Sequence, residues 1–143
     1  MLVVIDTNVL VSALWSKNGA PAQVIGMVLS GSIIPCFDYR ILDEYREVLQ
    51  RPKFRFPQGQ INALLDWFNF CGQSVIAEPI DLPFSDTADK KFYEVAKTCG
   101  AALITGNLKH FPDDPQVMSV SDRSRIIRGK LKRPYKKKAS KEE

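Results

Sequence analysis

Leu2-Val3-Val4-Ile5-Asp6-Thr7-Asn8 is the stretch that decides the fold. Four apolar, largely β-branched residues without polar alternation read as a strand buried on both faces, the kind found in parallel sheets. Downstream, Val9, Leu10, Ala13 and Leu14 fall at helical spacing, and Gly19-Ala20-Pro21 breaks the chain before a second helix predicted from about Ala22 to Leu29. Ser32 to Phe37 reads as another strand. Asp38 is a natural N-cap for a helix marked by Ile41, Leu42, Tyr45, Val48 and Leu49, which stops at Arg51-Pro52. A further helix spans Gln58 to Phe70 with Ile61, Leu64, Leu65 and Phe68 inward, and Ser74 to Ala77 forms a short strand. Phe92, Val95, Ala96 and Cys99 repeat the helical pattern and lead through Gly100 into the strand Ala101-Ala102-Leu103-Ile104. Val117 to Val120 is a last strand, followed by a short helix from about Asp122 to Gly129. Strands alternating with helices predict an α/β domain with a mostly parallel sheet and right-handed crossovers.

The chain has 143 residues, 45% of them hydrophobic, which suits one core. No apolar run approaches the roughly 20 residues that span a bilayer, and no leader pattern precedes Asp6, so a cytoplasmic protein is expected. Three cysteines, Cys36, Cys71 and Cys99, lie far apart among apolar neighbours and read as buried, reduced thiols. The net charge of +4 is unevenly distributed: residues 1–122 carry 10 Lys/Arg against 14 Asp/Glu, and residues 123–143 carry 10 against 2. The body is therefore acidic, which argues against a broad basic face gripping nucleic acid. Residues 129–143 lack an apolar pattern and read as a disordered basic tail after a domain spanning 1–128. That tail is either a solvated extension or a means of steering RNA.

In open parallel sheets ligands bind outside the carboxyl ends of the strands. Asp6 and Asn107 stand at two such ends and should open on one edge. Asp89 precedes Phe92 by three residues and Ala96 by seven, placing it on the core-facing stripe in the first turn of its helix, where a carboxylate needs a partner. Asp86 is read equally well as an N-cap. Glu44 sits beside Asp43 and Glu47, so spacing alone leaves it a solvated surface acid. Were Asp6, Glu44 and Asp89 to converge, their repulsion would raise pKa values unless a cation offset it, and oxygen-only ligands favour magnesium or manganese. The sole histidine, His110, excludes a histidine-pair ribonuclease, and the sequence has neither a glycine-flanked serine elbow nor a Gly-rich phosphate loop. His110 reads as a loop hydrogen-bonding partner or a substrate contact.

Four stretches taken in order carry a resemblance over about residues 2–128. They are Val4-Ile5-Asp6-Thr7-Asn8-Val9-Leu10, Leu42 to Phe54 with Asp43-Glu44 and Arg51-Pro52-Lys53-Phe54, Asp86 to Ala96, and Thr105-Gly106-Asn107 with His110-Phe111-Pro112. The chain resembles PIN domains, and among them the VapC-like toxins of toxin–antitoxin pairs. The resemblance implies a three-layer α/β fold, a parallel central sheet flanked by helices, and a Mg²⁺- or Mn²⁺-dependent ribonuclease. It matches the family's first three acidic positions to Asp6, Glu44 and Asp89 as metal ligands, and so selects Glu44. The fourth catalytic position, often Asp, is Asn107 here, which removes one negative charge and weakens the hold on a metal. Thr7, Ser12, Asp86 and Thr105 are expected to orient the carboxylates, and Arg51, Lys53, Lys109 and His110 are candidate RNA contacts. A homodimer and an antitoxin partner are further implications. A housekeeping RNA-processing nuclease and a non-catalytic RNA-binding protein remain the alternatives.

Overall fold

Why the apolar run at the start lies in the middle of the molecule follows from strand order. In the computed structural model, which describes residues 1–122, five parallel strands form one sheet: β1 (Leu2–Ile5), β2 (Ile34–Phe37), β3 (Gln73–Ser74), β4 (Ala102–Thr105) and β5 (Val117–Ser119). Their order is β3-β2-β1-β4-β5. The chain builds outward from β1 to β3, then crosses back to the other side of β1 to lay down β4. The β1/β4 pair is thus the point where the winding reverses, and a crevice opens there at the carboxyl ends. Because helices cover both faces, Val3, Val4, Ile5, Leu103 and Ile104 are completely buried, which is why these strands are uninterrupted apolar runs.

The helices are α1 (Thr7–Trp15), α2 (Ala20–Leu29), α3 (Tyr39–Leu49), α4 (Gln58–Cys71) and α5 (Lys90–Cys99). Adjacent residues of β2 separate two of them. The Cys36 thiol lies against Cys99 at the end of α5, whereas the Phe37 ring lies against Gly72 at the end of α4. Successive side chains on a strand point to opposite faces, so α5 and α4 flank the sheet on opposite sides and the architecture has three layers. Asp38 caps α3, its Oδ1 accepting the Ile41 N–H at 3.0 Å. Gly100 ends α5 with a left-handed φ of +65° that side chains disfavour.

Several boundaries differ from the sequence reading. Helix α2 begins at Ala20 because Pro21 sits in its first turn, where a missing N–H leaves no bond unmade. The third strand is Gln73–Ser74, paired with Cys36 and Phe37, and not Ser74 to Ala77. Its partner β2 turns into α3 at Asp38, so the ladder has nothing further to bond. Asp89 closes a 3₁₀ turn, Thr87–Asp89, and serves as the N-cap residue of α5. All three cysteines are free, but only Cys36 is buried. Cys71 and Cys99 terminate helices and are partly exposed, which corrects the expectation of three buried thiols. The expected helix after Asp122 and the basic tail lie outside the described residues.

A run without regular structure leads from β3 to the turn carrying Asp86 and Asp89, and buried charge holds it in place. Glu94, 6% exposed on α5, accepts the Ile80 N–H at 2.9 Å with one oxygen and Arg40 at 3.0 Å with the other. Arg40 also reaches Asp38 at 2.7 Å. A buried carboxylate satisfied on both oxygens is an anchor, because removing either partner leaves charge without compensation. Thr98 adds a second tether by accepting the Glu78 N–H at 2.9 Å.

Candidate active site

The crevice at the reversal point is lined with acid. Asp6 follows β1 and Thr105 ends β4, and the Asp6 N–H bonds the Ile104 carbonyl at 2.9 Å, so the two residues lie side by side. Thr105, fully buried, donates its hydroxyl to Asp6 Oδ2 at 2.7 Å and receives the Asn107 N–H at 3.0 Å. Asp6 occupies the N-cap position of α1 without capping it. Its carboxylate is turned to the crevice instead. One cavity of about 380 Å³ gathers Asp6, Thr7, Asn8, Ser12, Glu44, Asp86, Asp89 and His110, with Val11, Val48 and Phe54 completing its wall.

Glu44 reaches the cavity because Tyr45, next in sequence, points into the core. The Tyr45 ring is completely buried and its hydroxyl donates to the Ile5 carbonyl, the residue before Asp6. One hydrogen bond therefore ties the two segments that carry Asp6 and Glu44. The Thr7 hydroxyl donates to Glu44 Oε2, and Lys91 Nζ meets Glu44 Oε1 at 2.6 Å. Asp89 lies 3.2 Å from His110 Nδ1, while Asn107 Nδ2 lies 2.9 Å from His110 Nε2. Since the Asn107 amide nitrogen can only donate, Nε2 accepts and Nδ1 carries the proton directed at Asp89.

The electrostatics record the crowding. Burial raises the Asp6 carboxyl to about 6, with Asp89 and Glu44 adding to the rise and the Thr105 hydrogen bond opposing it. Asp89 is also raised, first by burial and then by Asp86, with His110 and Lys91 pulling the other way. Three carboxylates and no sulfur form a donor set suited to a hard divalent cation. Among the described residues, however, no three acidic, histidine or cysteine side chains stand close enough to grip one ion. Glu44 is engaged by Lys91 and Thr7, and Asp89 by His110. The donors fit Mg²⁺ or Mn²⁺ in chemistry, and in position once Lys91 and His110 give way.

Of the residues singled out from sequence, Asp6, Glu44, Asp89, Thr7, Ser12, Asp86 and His110 line this cavity. Thr105 supports it from below. Asn107 does not line it and connects only through His110. Asp86 caps the Thr87–Asp89 turn by accepting the Ala88 N–H at 2.9 Å, so the N-cap reading and the cavity position hold together. Arg51 is paired with Glu47 at 2.9 Å on the rim, and Lys53 lies over the Phe54 ring. Lys109 lines neighbouring grooves with Phe111 and Pro112. Sequence reasoning missed Lys91, Tyr45 and Asn8. Asn8 Oδ1 accepts the Gly106 N–H at 3.3 Å, bracing α1 against the end of β4. Tyr45 was read only as a core residue, and nothing in its spacing revealed a polar tip.

Comparison with known proteins agrees with this arrangement. The PIN-domain family pattern matches residues 2–109. An uncharacterized protein of Methanocaldococcus jannaschii is 32% identical over 130 residues, covering 88% of this chain and 79% of its own. No solved structure matches the chain. Among the described residues no helix is long and apolar enough to cross a membrane. PIN domains are in general Mg²⁺- or Mn²⁺-dependent nucleases that act on RNA. The parallel five-stranded sheet, the acidic crevice at its reversal point and the match over residues 2–109 make this chain a member of the PIN-domain family.

Proposed function

We propose that the chain is a metal-dependent endoribonuclease that hydrolyses RNA phosphodiesters and acts as the toxin of a toxin–antitoxin pair in the cytoplasm. The observation that supports it best is the meeting of Asp6, Glu44 and Asp89 in one cavity, with Asp6 held near pH 6 by burial and by the other two acids. A purely structural cluster gains nothing from such repulsion, whereas a cation site depends on it. When bound, Mg²⁺ or Mn²⁺ supplies the positive charge that lets three carboxylates face a phosphodiester and lowers the cost of deprotonating water. Asp6, Glu44 and Asp89 hold it. Thr105 and Thr7 orient Asp6 and Glu44 through their hydroxyls, and Asn107 acts at one remove by fixing the tautomer of His110, which aims Asp89. Lys91 balances Glu44 while the cation is away.

The antitoxin, as a protein blocking this cavity, and a homodimer belong to the same proposal. Expression of the chain in a related host should arrest growth, and Asp89→Asn should relieve the arrest while lowering RNA cleavage more than about 100-fold. Co-expression of a small adjacent open reading frame should also relieve it. Normal growth beside chelator-sensitive RNA cleavage in vitro would instead identify an RNA-processing enzyme. The pairing of Glu44 with Lys91 favours a second reading, RNA binding without hydrolysis. RNA binding with no cleavage under saturating magnesium or manganese would establish that reading against the nuclease.

A further inference from the structure

An aromatic cluster extends the acidic crevice along α1. Asn8, Val11 and Ser12 line the crevice, and Trp15 continues the same stripe at the i, i+3, i+4, i+7 positions of the helix. Eight residues separate Thr7 from Trp15, so the indole sits about 12 Å along the helix from the acids. Trp15 is 63% exposed. Its ring meets Phe54 and Phe56 edge-on, with centroids 5.8 and 6.1 Å away, and the two phenylalanine rings stack at 5.4 Å and 11°. Phe54 itself forms part of the crevice wall.

Two further features argue that this cluster is built for a ligand. Arg55, between the phenylalanines, has φ +56°, the only non-glycine positive φ among the described residues. An arginine in that conformation is strained, and such strain persists where the surroundings require the geometry. Here it lets Phe54 and Phe56 present parallel rings. The second feature is charge. Lys17, Arg51, Lys53 and Arg55 surround the rings and account for 4 of the 10 basic residues in the otherwise acidic span 1–122. Lys53 Nζ lies 5.1 Å from the centroid of Phe54, and Lys17, Lys53 and Arg55 are exposed.

We propose that Trp15, buttressed by Phe54 and Phe56 and ringed by these cations, is a stacking platform for an unpaired base of single-stranded RNA flanking the scissile phosphate. An exposed aromatic face beside flexible cations is the combination that takes up single strands without reading their sequence, because every base offers a π face and every nucleotide a phosphate. The other occupant to consider is a second copy of the chain. A two-fold contact centred here would bring the cation cluster against itself, which disfavours it. The inference rests on the nuclease reading, and directs that enzyme to unpaired RNA.

The test is binding of a short oligouridylate to the full chain in chelator, where no chemistry intervenes. Tryptophan fluorescence and anisotropy are followed together. Trp67 is partly buried with its Nε1–H bonded to the Val28 carbonyl, so Trp15 should supply the quenching. Trp15→Ala and Phe54→Ala should each weaken binding about 5- to 150-fold. Trp15→Phe, which retains a ring, should lose the quench but keep most of the affinity. An oligomer carrying abasic sites should bind the wild type weakly and gain no further loss from Trp15→Ala. Undiminished affinity in the alanine variants, or equal binding of the abasic oligomer, would overturn the platform while leaving the nuclease standing, provided magnesium-dependent cleavage persists. Absence of both RNA binding and cleavage in the wild type would remove the nuclease reading and the platform with it. A fall in sedimenting mass in Trp15→Ala with RNA affinity unchanged would assign the patch to a subunit interface and overturn the proposal.

Discussion

Replacing Asp6 with Asn should make the metal-free protein more stable at neutral pH, and the size of the gain can be worked out. Asp6 is 6% exposed, and its carboxyl is raised from 3.8 to about 6, chiefly by burial and then by Asp89 and Glu44. Between those values the folded protein holds a proton that the unfolded chain has released. Stability therefore falls as pH rises through the window from 3.8 to about 6, and the full cost is present above it. At about 1.4 kcal/mol per pH unit, that cost is about 3 kcal/mol. Asn keeps an oxygen to accept the Thr105 hydroxyl and removes the charge. Urea unfolding in chelator should place the Asp6→Asn midpoint about 1–3 M above wild type at pH 7.5, with the difference closing towards pH 4. Adding magnesium should stabilise the wild type and leave the variant unmoved, since binding only the native state raises its stability. A difference that does not vary with pH, or a variant less stable than wild type at pH 7.5, would refute the electrostatic account of the crevice.

Other outcomes follow from the same structure. Tyr45→Phe removes the hydroxyl tying α3 to the Ile5 carbonyl, and should cost about 1–3 kcal/mol in denaturant unfolding and lower RNA cleavage with it. At Gly72 a Cβ would stand 2.5 Å from the Phe68 carbonyl oxygen and 2.7 Å from that of Pro35, both backbone atoms, so Gly72→Ala should destabilise by at least about 1–3 kcal/mol, read by thermal melting. Chelation should abolish cleavage, and manganese or magnesium should restore it in a cleavage assay on loop-containing RNA. Deleting residues 130–143 removes seven Lys/Arg and should lower the slope of log affinity against log salt by about 0.7 for each phosphate released, with the chemical step unchanged.

What the amino-acid order determined by itself was the part governed by local periodicity. Leu2 to Ile5 and Ala101 to Ile104 are apolar without alternation because both faces of those strands are covered, and that alone called for a parallel α/β sheet. Asp6 was legible as a site residue because a charge directly after a buried strand has few structural uses. Asp38 announced its helix through the short side chain that caps it. Family likeness, and not spacing, selected Glu44, since an acid among other acids on a helix has no signature of its own. Tertiary structure decided the rest. It turned Glu44 inward by burying Tyr45 against Ile5, and it brought Lys91 onto Glu44 across 47 positions of chain. It also seated His110 between Asp89 and Asn107. The sheet order that carries the chain back across β1 is what places Thr105 beside Asp6, 99 residues away. These contacts join segments whose own sequences are complete as helix, strand or turn, so no local pattern records them, and only the packing of the whole core sets which side chains meet at the crevice.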